Sequence, residues 1–190
     1  NGIVCASEQA VIIDTEIYKE VIEENKKIHV YFCNNEEKKK LEALLFPNGV
    51  TLNGKIVGNS AISIAKEAGF EVPAMTNILA VNCKEVGEKE PLTREKLSPV
   101  LAILKSENTA QGIELAEKMV ELNGLGHSAC IHSYNDEVVK AFGKRLKAIR
   151  IIQNSPATFG GIGNVYNRFI PSLTLGCGSY GKNSVSDNVS

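Results

Sequence analysis

The sequence has no tryptophan, and aromatic residues make up only 6% of its 190 residues. No run of apolar residues approaches the roughly 18 that a membrane-spanning helix needs, and no signal peptide opens the chain. Neither sign of charge predominates, because 21 Lys and Arg face 22 Asp and Glu for a formal net charge of −1. Binding to the phosphate backbone of a nucleic acid requires a stripe of basic residues, and this sequence shows none. We therefore expect a cytoplasmic protein with no nucleic-acid partner and no membrane partner.

Cysteine pairing is also missing. The five cysteines are odd in number and far apart, with neither a C-x-x-C motif nor zinc-like spacing, at Cys5, Cys33, Cys83, Cys130 and Cys177. This argues for reduced thiols and no structural metal. With 43% hydrophobic and 23% charged residues, a chain of this length fits one globular domain with a substantial core.

Short β-branched runs alternate with amphipathic stretches along the chain. This alternation predicts an α/β fold with a mainly parallel sheet flanked by helices. Ligands of such sheets collect at the carboxyl ends of strands, so we expect the loops after strands to carry the chemistry. The predicted strands are 10–13, 28–33, 77–83, 99–104, 127–132 and 149–153, and the predicted helices are 15–27, 36–46, 61–68, 109–122 and 137–146.

Cys5 is the candidate nucleophile, in a stretch where Gly2 precedes it and small, polar residues follow. A cysteine attacks as its thiolate, which needs a polar, accessible setting that such a turn can supply. A lone cysteine is more often a small buried hydrophobic residue. Cys177 competes for the role, because segment 172–181 is dense in glycine and small hydroxyl residues. Nothing local separates the two cysteines.

His127 follows the glycine-containing turn 124–126. With an ordinary pKa of about 6.5, a histidine suits general acid or base chemistry at neutral pH, but an ordinary hydrogen-bonded histidine at a strand end explains it equally well. His29 and His132 fall inside predicted strands and are interpreted as structural.

A second glycine-rich segment, 158–164, contains a G-x-G pattern. It follows Asn154-Ser-Pro156 rather than opening a helix, so it fails the dinucleotide-binding fingerprint. We expect a flexible glycine turn that lines a pocket.

Five motifs occur in one order along the chain: Gly2-Ile-Val-Cys-Ala-Ser-Glu-Gln9, Glu95-Lys-Leu-Ser-Pro-Val100, Gly124-Leu-Gly-His127, Asn154-Ser-Pro-Ala157 and Leu173-Thr-Leu-Gly-Cys-Gly-Ser179. Together they resemble the CoA-acylating aldehyde dehydrogenase half of the bifunctional aldehyde-alcohol dehydrogenases, over essentially the whole chain. The resemblance implies an aldehyde-dehydrogenase-like catalytic domain that interconverts acetaldehyde, coenzyme A and NAD with acetyl-CoA and NADH in fermentative ethanol metabolism.

In that family the NAD-binding Rossmann domain lies mostly upstream of the cysteine, and an iron-dependent alcohol dehydrogenase domain lies downstream. The resemblance therefore implies that residues 1–190 are the thiol-bearing catalytic domain only, within a full-length protein that forms homo-oligomers. Asn1 is not an initiator methionine, which also suggests a fragment. We expect the isolated chain to be inactive.

The resemblance also implies roles for individual residues. Cys5 attacks the aldehyde, and His127 takes the thiol proton of coenzyme A. Glu95 holds the nicotinamide ribose, although the sequence alone favours a solvated charge at this position. Leu97 and Gly176 approach the nicotinamide end. No metal is implied in this domain.

Two other classes of function remain open. One is a cysteine-dependent acyl hydrolase or transferase that uses Cys5 and His127, which would turn over a thioester without any nucleotide. The other is a non-catalytic α/β interaction domain, in which no cysteine would react preferentially with alkylating agents.

Overall fold

The computed structural model describes residues 1–163, 167–168 and 170–171. They form two compact units. The first consists of Asn1–Ile3 and Gln9–Gly112, and the second consists of Val4–Glu8 and the described residues from Ile113 onward. The assignment of all 190 residues to one catalytic domain stays a prediction.

The first unit is built on a four-stranded sheet in which every strand pair is parallel, in the order β1-β4-β3-β2. Ala10 lies opposite Ala102, and Leu79 lies opposite Val100. The elements are β1 (Ala10–Asp14), α1 (Tyr18–Lys27), β2 (Val30–Phe32), α2 (Asn35–Leu45), α3 (Ala61–Glu67), β3 (Ile78–Asn82) and β4 (Val100–Ser106), with 3-10 turns at Gly54–Ile56 and Pro91–Thr93.

Both faces of this sheet are buried. Ile13, Ala80 and Ile103 form a core cluster against which the apolar side of α1 packs. The alternate residues Leu79 and Leu104 are also buried, and because side chains alternate between faces along a strand, they cover the opposite side. Nearly continuous apolar strands of this kind are typical of parallel sheets.

Two helices of the first unit begin with side-chain caps. The Asn34 side chain accepts from the backbone N–H groups of Glu36 and Glu37, and the Glu37 carboxylate accepts from the Asn34 N–H in return. The Ser60 side chain caps α3 by accepting from the backbone N–H of Ser63. Such caps satisfy N–H groups that have no acceptor within the helix.

The second unit contains a two-stranded parallel sheet, in which Ser128 lies opposite Arg150. Its core cluster consists of Val120, Phe142 and Leu146. Helix α4 (Thr109–Met119) runs into this unit from the first and ends in a π-helical turn (Val120–Gly124), followed by β5 (Ser128–Ile131), α5 (Asp136–Arg145), β6 (Arg150–Gln153) and α6 (Ala157–Ile162).

The predicted α/β class with a parallel sheet and flanking helices is confirmed. The glycine-rich turn predicted at 158–164 is wrong, because α6 occupies most of it. His29 and His132 are exposed residues beside β2 and β5 rather than inside strands, so their placement in strands was also wrong. In the described part of the chain, no helix is long and apolar enough to cross a membrane.

Candidate active site

Cys5 lies in a tight turn of the second unit. The backbone N–H of Ser7 donates to the carbonyl oxygen of Val4 over 2.7 Å, which makes Cys5 and Ala6 the two central residues of a β-turn. Cys5 is exposed and Ala6 is buried. The turn therefore anchors itself through the alanine methyl group and leaves the thiol accessible, as a nucleophile requires.

Glu8 fastens this turn to the rest of the second unit. Its Oε1 accepts from the backbone N–H of Ala157 over 2.7 Å and lies 3.9 Å from the Cys130 Sγ, which donates to it. Ala157 opens α6, where no side chain of the preceding Pro156 caps the helix. The Glu8 carboxylate supplies the missing acceptor. Sequence reasoning missed Glu8, whose only signal is a carboxylate three residues after Cys5.

The glycines of α6 allow close packing, which explains why the predicted turn is a helix. A Cβ added at Gly160 would lie only 2.6 Å from Cγ2 of Ile152. One added at Gly161 would lie 3.8 Å from the Cβ of Ala6. Glycine serves close approach as well as unusual backbone angles, and the sequence pattern does not distinguish these uses.

The other described cysteines are poorly suited to nucleophilic attack. Burial raises the pKa of Cys33 and of Cys83 to about 12. Burial, reinforced by the charge of Glu8, raises the pKa of Cys130 to about 11. Because the thiolate is the attacking form, these three thiols are held in the inert state at neutral pH. Cys5 is the exposed cysteine among the described residues, whereas Cys177 lies outside them.

His127 lies directly before β5 and is partly buried. Its Nδ1 accepts from the backbone N–H of Ser128 over 2.9 Å. Burial, and secondarily the charge of Arg150, lower the pKa of the imidazole. The ring is therefore neutral at pH 7 with its hydrogen on Nε2. Nε2 can donate a hydrogen bond, but accepting a proton there would require the ring to give up the Ser128 bond.

Arg150 is the cation beside His127, and sequence reasoning missed it as well. It opens β6 and is only 2% exposed. Its signal in the sequence is a single arginine at the start of an apolar strand. A buried guanidinium keeps its charge at any physiological pH, so it disfavours protonation of the imidazole throughout that range.

Glu95 and Leu97 belong to a segment of the first unit that leads into β4. Glu95 is exposed, and partial burial of its carboxyl raises the pKa, which the charge of Lys96 opposes. Leu97 has φ +46°, a strained conformation for a bulky side chain. The backbone N–H of Gly58 donates to the Leu97 carbonyl over 3.0 Å and helps to hold this conformation.

Gly2 contacts the same segment within the first unit. It has φ +70°, and a Cβ added there would lie 2.9 Å from the carbonyl oxygen of Ser98. Only glycine combines this backbone angle with this approach. The glycine that the sequence assigns to a turn before Cys5 is thus required by contact with the segment that carries Glu95 and Leu97.

The candidate residues lie before strands, not after them. In the first unit Glu95 and Leu97 precede β4, and in the second unit His127 precedes β5. In sequence, Cys5 precedes β1. These candidate residues therefore do not lie where the expectation about loops after strands places the chemistry, and both that expectation and their roles stay predictions. Gly176, the remaining candidate, lies outside the described residues. Within the described residues no group of three His, Cys, Asp or Glu side chains could hold a metal ion.

No protein-family model matches the chain. The aldehyde-alcohol dehydrogenase of Streptococcus pneumoniae is 63% identical over 100% of this chain and 22% of its own length. The solved structure of an acetylating aldehyde dehydrogenase from Geobacillus thermoglucosidasius superposes with a TM-score of 0.92 at 43% identity, over 98% of this chain and 41% of that chain. This chain is homologous to the acetylating aldehyde dehydrogenases.

The resemblance inferred from the five motifs is thereby confirmed. The chain spans about a fifth of the length of the aldehyde-alcohol dehydrogenase relatives it matches. A more distant solved structure, a propionaldehyde dehydrogenase from Rhodopseudomonas palustris with bound CoA and an acylated cysteine, shares the fold at 22% identity and a TM-score of 0.74, over 94% of this chain and 40% of that chain.

Proposed function

We propose that this chain carries the nucleophilic thiol of a CoA-acylating aldehyde dehydrogenase that interconverts acetaldehyde, CoA and NAD with acetyl-CoA and NADH. The observation that carries the proposal is the exposed Cys5 turn in a sequence that is 63% identical to an aldehyde-alcohol dehydrogenase. Burial raises the thiol pKa of each of the other described cysteines, which supports Cys5 as the nucleophile.

The proposed chemistry passes through covalent intermediates on Cys5. The thiolate adds to the aldehyde carbon, so that a C–S bond forms while the carbonyl π bond opens to give a thiohemiacetal. Loss of hydride from that carbon leaves a thioester on Cys5. The thiolate of CoA then attacks the thioester and displaces the Cys5 thiolate. Because a thiol resolves the intermediate, no hydrolytic general base is needed.

NAD accepts the hydride when it is bound, and Glu95 is the residue proposed to bind the NAD ribose. The exposed Glu95 carboxylate offers two oxygens to two hydroxyl donors. Leu97 and Gly176 are proposed to lie against the nicotinamide. A nicotinamide cofactor is bound in one structural neighbour, an engineered glycolyl-CoA reductase with NADP+, which shares the fold at 24% identity and a TM-score of 0.78.

His127 is the proposed residue at the acyl-transfer step. The family resemblance implies that His127 accepts the proton of the CoA thiol. For this to happen, the ring must lose the hydrogen bond that the Ser128 N–H donates to Nδ1. With that bond intact, the Nε2–H of His127 serves instead as a donor to the developing charge on the thioester oxygen. The CoA and acylated cysteine of the R. palustris enzyme support CoA as the acyl acceptor here.

The same resemblance supports the wider setting of the proposal. Residues 1–190 act as the catalytic domain, together with an upstream NAD-binding domain and a downstream iron-dependent alcohol dehydrogenase domain of a full-length, homo-oligomeric protein. The proposed process is fermentative ethanol formation in the cytoplasm. No residue of this chain is proposed to bind a metal.

The decisive experiment uses the full-length polypeptide that contains this chain. We expect NADH production from acetaldehyde to depend on CoA, and Cys5→Ala to abolish it. Cys33→Ala removes a buried thiol and should keep the activity, which makes it the matched control. Equal activity in Cys5→Ala and the parent would refute the assignment of the nucleophile.

A second measurement separates this proposal from a cysteine hydrolase. Acetyl-CoA is incubated with the protein in the absence of any nicotinamide, and free acetate is measured. The proposed enzyme should exchange acetyl groups between CoA molecules through Cys5 but release acetate slowly. Rapid, sustained acetate release would favour the hydrolase.

A further inference from the structure

Lys96 is a charged residue at the centre of the candidate segment, yet it is 0% exposed. Its Nζ donates to three backbone carbonyl oxygens, those of Gln9 at 2.9 Å, Leu92 at 2.8 Å and Arg94 at 2.8 Å. An ammonium group has three hydrogens to donate. Every donor of the protonated side chain therefore has an acceptor, which favours the charged form, whereas burial acts in the opposite direction and lowers the pKa of Lys96 to about 7.

The three carbonyls come from two different parts of the first unit. Leu92 and Arg94 lie in and directly after the 3-10 turn that leads into Glu95. Gln9 directly precedes β1, and its side-chain Oε1 also accepts from the backbone N–H of Lys96 over 2.9 Å. Because β1 and β4 are adjacent and parallel, their amino ends meet, and Lys96 joins them.

The residues on either side of Lys96 are those to which the nicotinamide contacts were assigned. Leu97 has φ +46°, and a strained residue keeps its conformation only when its surroundings fix it. The four hydrogen bonds of Lys96 fix the backbone directly before it. Without them, the backbone that carries Glu95 and Leu97 would be less firmly fixed.

We propose that Lys96 is a positioning residue that fixes Glu95 and Leu97 for the nicotinamide nucleotide. This inference rests on the proposed function. The proposal differs from a purely structural role in what replacement of Lys96 should do. Replacing a purely structural lysine would impair the nicotinamide-dependent step and the acyl-transfer step equally. A positioning role toward the nucleotide leaves acyl exchange between CoA molecules intact, since that exchange needs the thiol and no nicotinamide.

The test compares Lys96→Met with Lys89→Met in the full-length polypeptide. Methionine approximates the unbranched aliphatic part of the lysine side chain and removes all three donors. Lys89 lies in the same connection between β3 and β4, but its side chain is 86% exposed. Its replacement should change neither the KM for NADH nor the rate of acetyl exchange. Two quantities are measured for each variant: the KM for NADH in acetyl-CoA reduction, and the rate of acetyl exchange between acetyl-CoA and labelled CoA.

For Lys96→Met we expect the KM for NADH to rise about tenfold or more, while acetyl exchange stays within about twofold of the parent. An unchanged KM for NADH would overturn the proposal, and so would an equal loss of both activities in a folded variant. If the parent itself shows no acetyl exchange, the proposed function fails instead, so the two failures are distinguishable.

If Lys96→Met does not yield folded protein, Gln9→Met is the variant that tests the positioning role of Lys96. It removes the Oε1 acceptor of the Lys96 N–H and leaves the buried ammonium and its three carbonyls in place. The KM for NADH should again rise, by a smaller factor, with acetyl exchange retained. A KM equal to that of the parent in this variant would overturn the proposal.

Discussion

Replacing Gly160 by alanine tests whether the glycine of α6 is there for packing. The added Cβ would lie 2.6, 3.1 and 3.2 Å from Cγ2, Cδ1 and Cγ1 of Ile152. All three atoms belong to one side chain, which is only 6% exposed, so little space exists into which it can move. The substitution therefore forces either α6 or the Ile152 rotamer to shift.

The size of the effect follows from two opposing contributions. Alanine in place of glycine inside a helix gains about 1 kcal/mol of stability, and overpacking a buried site costs about 1–3 kcal/mol. The net loss at Gly160 should be about 1 kcal/mol. Gly143 is the matched control, because it lies within α5 with nothing within 4 Å of an added Cβ. Alanine at Gly143 should stabilise by up to about 1 kcal/mol.

Native-state hydrogen exchange gives the local opening free energy of α6 and β6 without requiring the whole protein to unfold. Gly160→Ala should lower it, and the same substitution in an Ile152→Ala background should raise it, because the obstructing atoms are gone. Such a change of sign is a coupling energy between contacting residues. If Gly160→Ala stabilised α6 as Gly143→Ala stabilises α5, the packing explanation would be refuted.

Three further predictions concern the candidate site itself. Limited alkylation followed by mass mapping should label Cys5 before every other cysteine, because it is exposed; earlier labelling of another thiol would contradict its role. Gly2→Ala should slow aldehyde oxidation, whereas Gly49→Ala, with a similar φ of +75° but open space around it, should not; equal effects would attribute the loss to backbone angle alone. Burial holds the pKa of His127 below the ordinary histidine value of about 6.5, so the unfolded chain takes up more protons there, and acidification through that value should destabilise the protein, as measured by urea unfolding against pH. His127→Gln cannot titrate and should flatten that dependence, and a profile identical to the parent would contradict it.

The arrangement of strands and helices could be predicted because it depends on local patterns. Short β-branched runs between amphipathic stretches locate β1, β3 and β4 to within two residues. Ser60 directly precedes α3, where an N-cap serine is favoured. Helix α1 begins three residues later than predicted. The Asp14 carboxylate accepts from the Glu16 N–H and holds a turn between β1 and the helix, which the periodicity of the apolar residues does not reveal.

The parts that could not be predicted depend on contacts between distant residues. The bond from Ala157 to Glu8 spans 149 positions of sequence, and the bonds from Lys96 to Gln9 span 87. Neither spacing forms a motif that a single sequence displays. A lysine that directly follows Arg94 and Glu95 indicates a solvated charged stretch by local criteria, yet Lys96 is fully buried. The same limit explains why the amino ends of the strands were not anticipated as the place of the candidate residues.

Segments that precede strands have no regular pairing of their own, so each backbone N–H and carbonyl must find another partner. Within each unit, the segments that carry the candidate residues show how this requirement is met. Before β1 and β4, the Lys96 ammonium donates to three backbone carbonyls and the Gln9 side chain accepts from the Lys96 N–H. Directly before β5, the His127 ring accepts from the N–H of Ser128. Polar side chains here replace a missing ladder of backbone hydrogen bonds. Because Lys96 and Gln9 hold backbone adjacent to Glu95 and Leu97, substitutions at these two supporting positions should alter the geometry of that segment without touching the substrate.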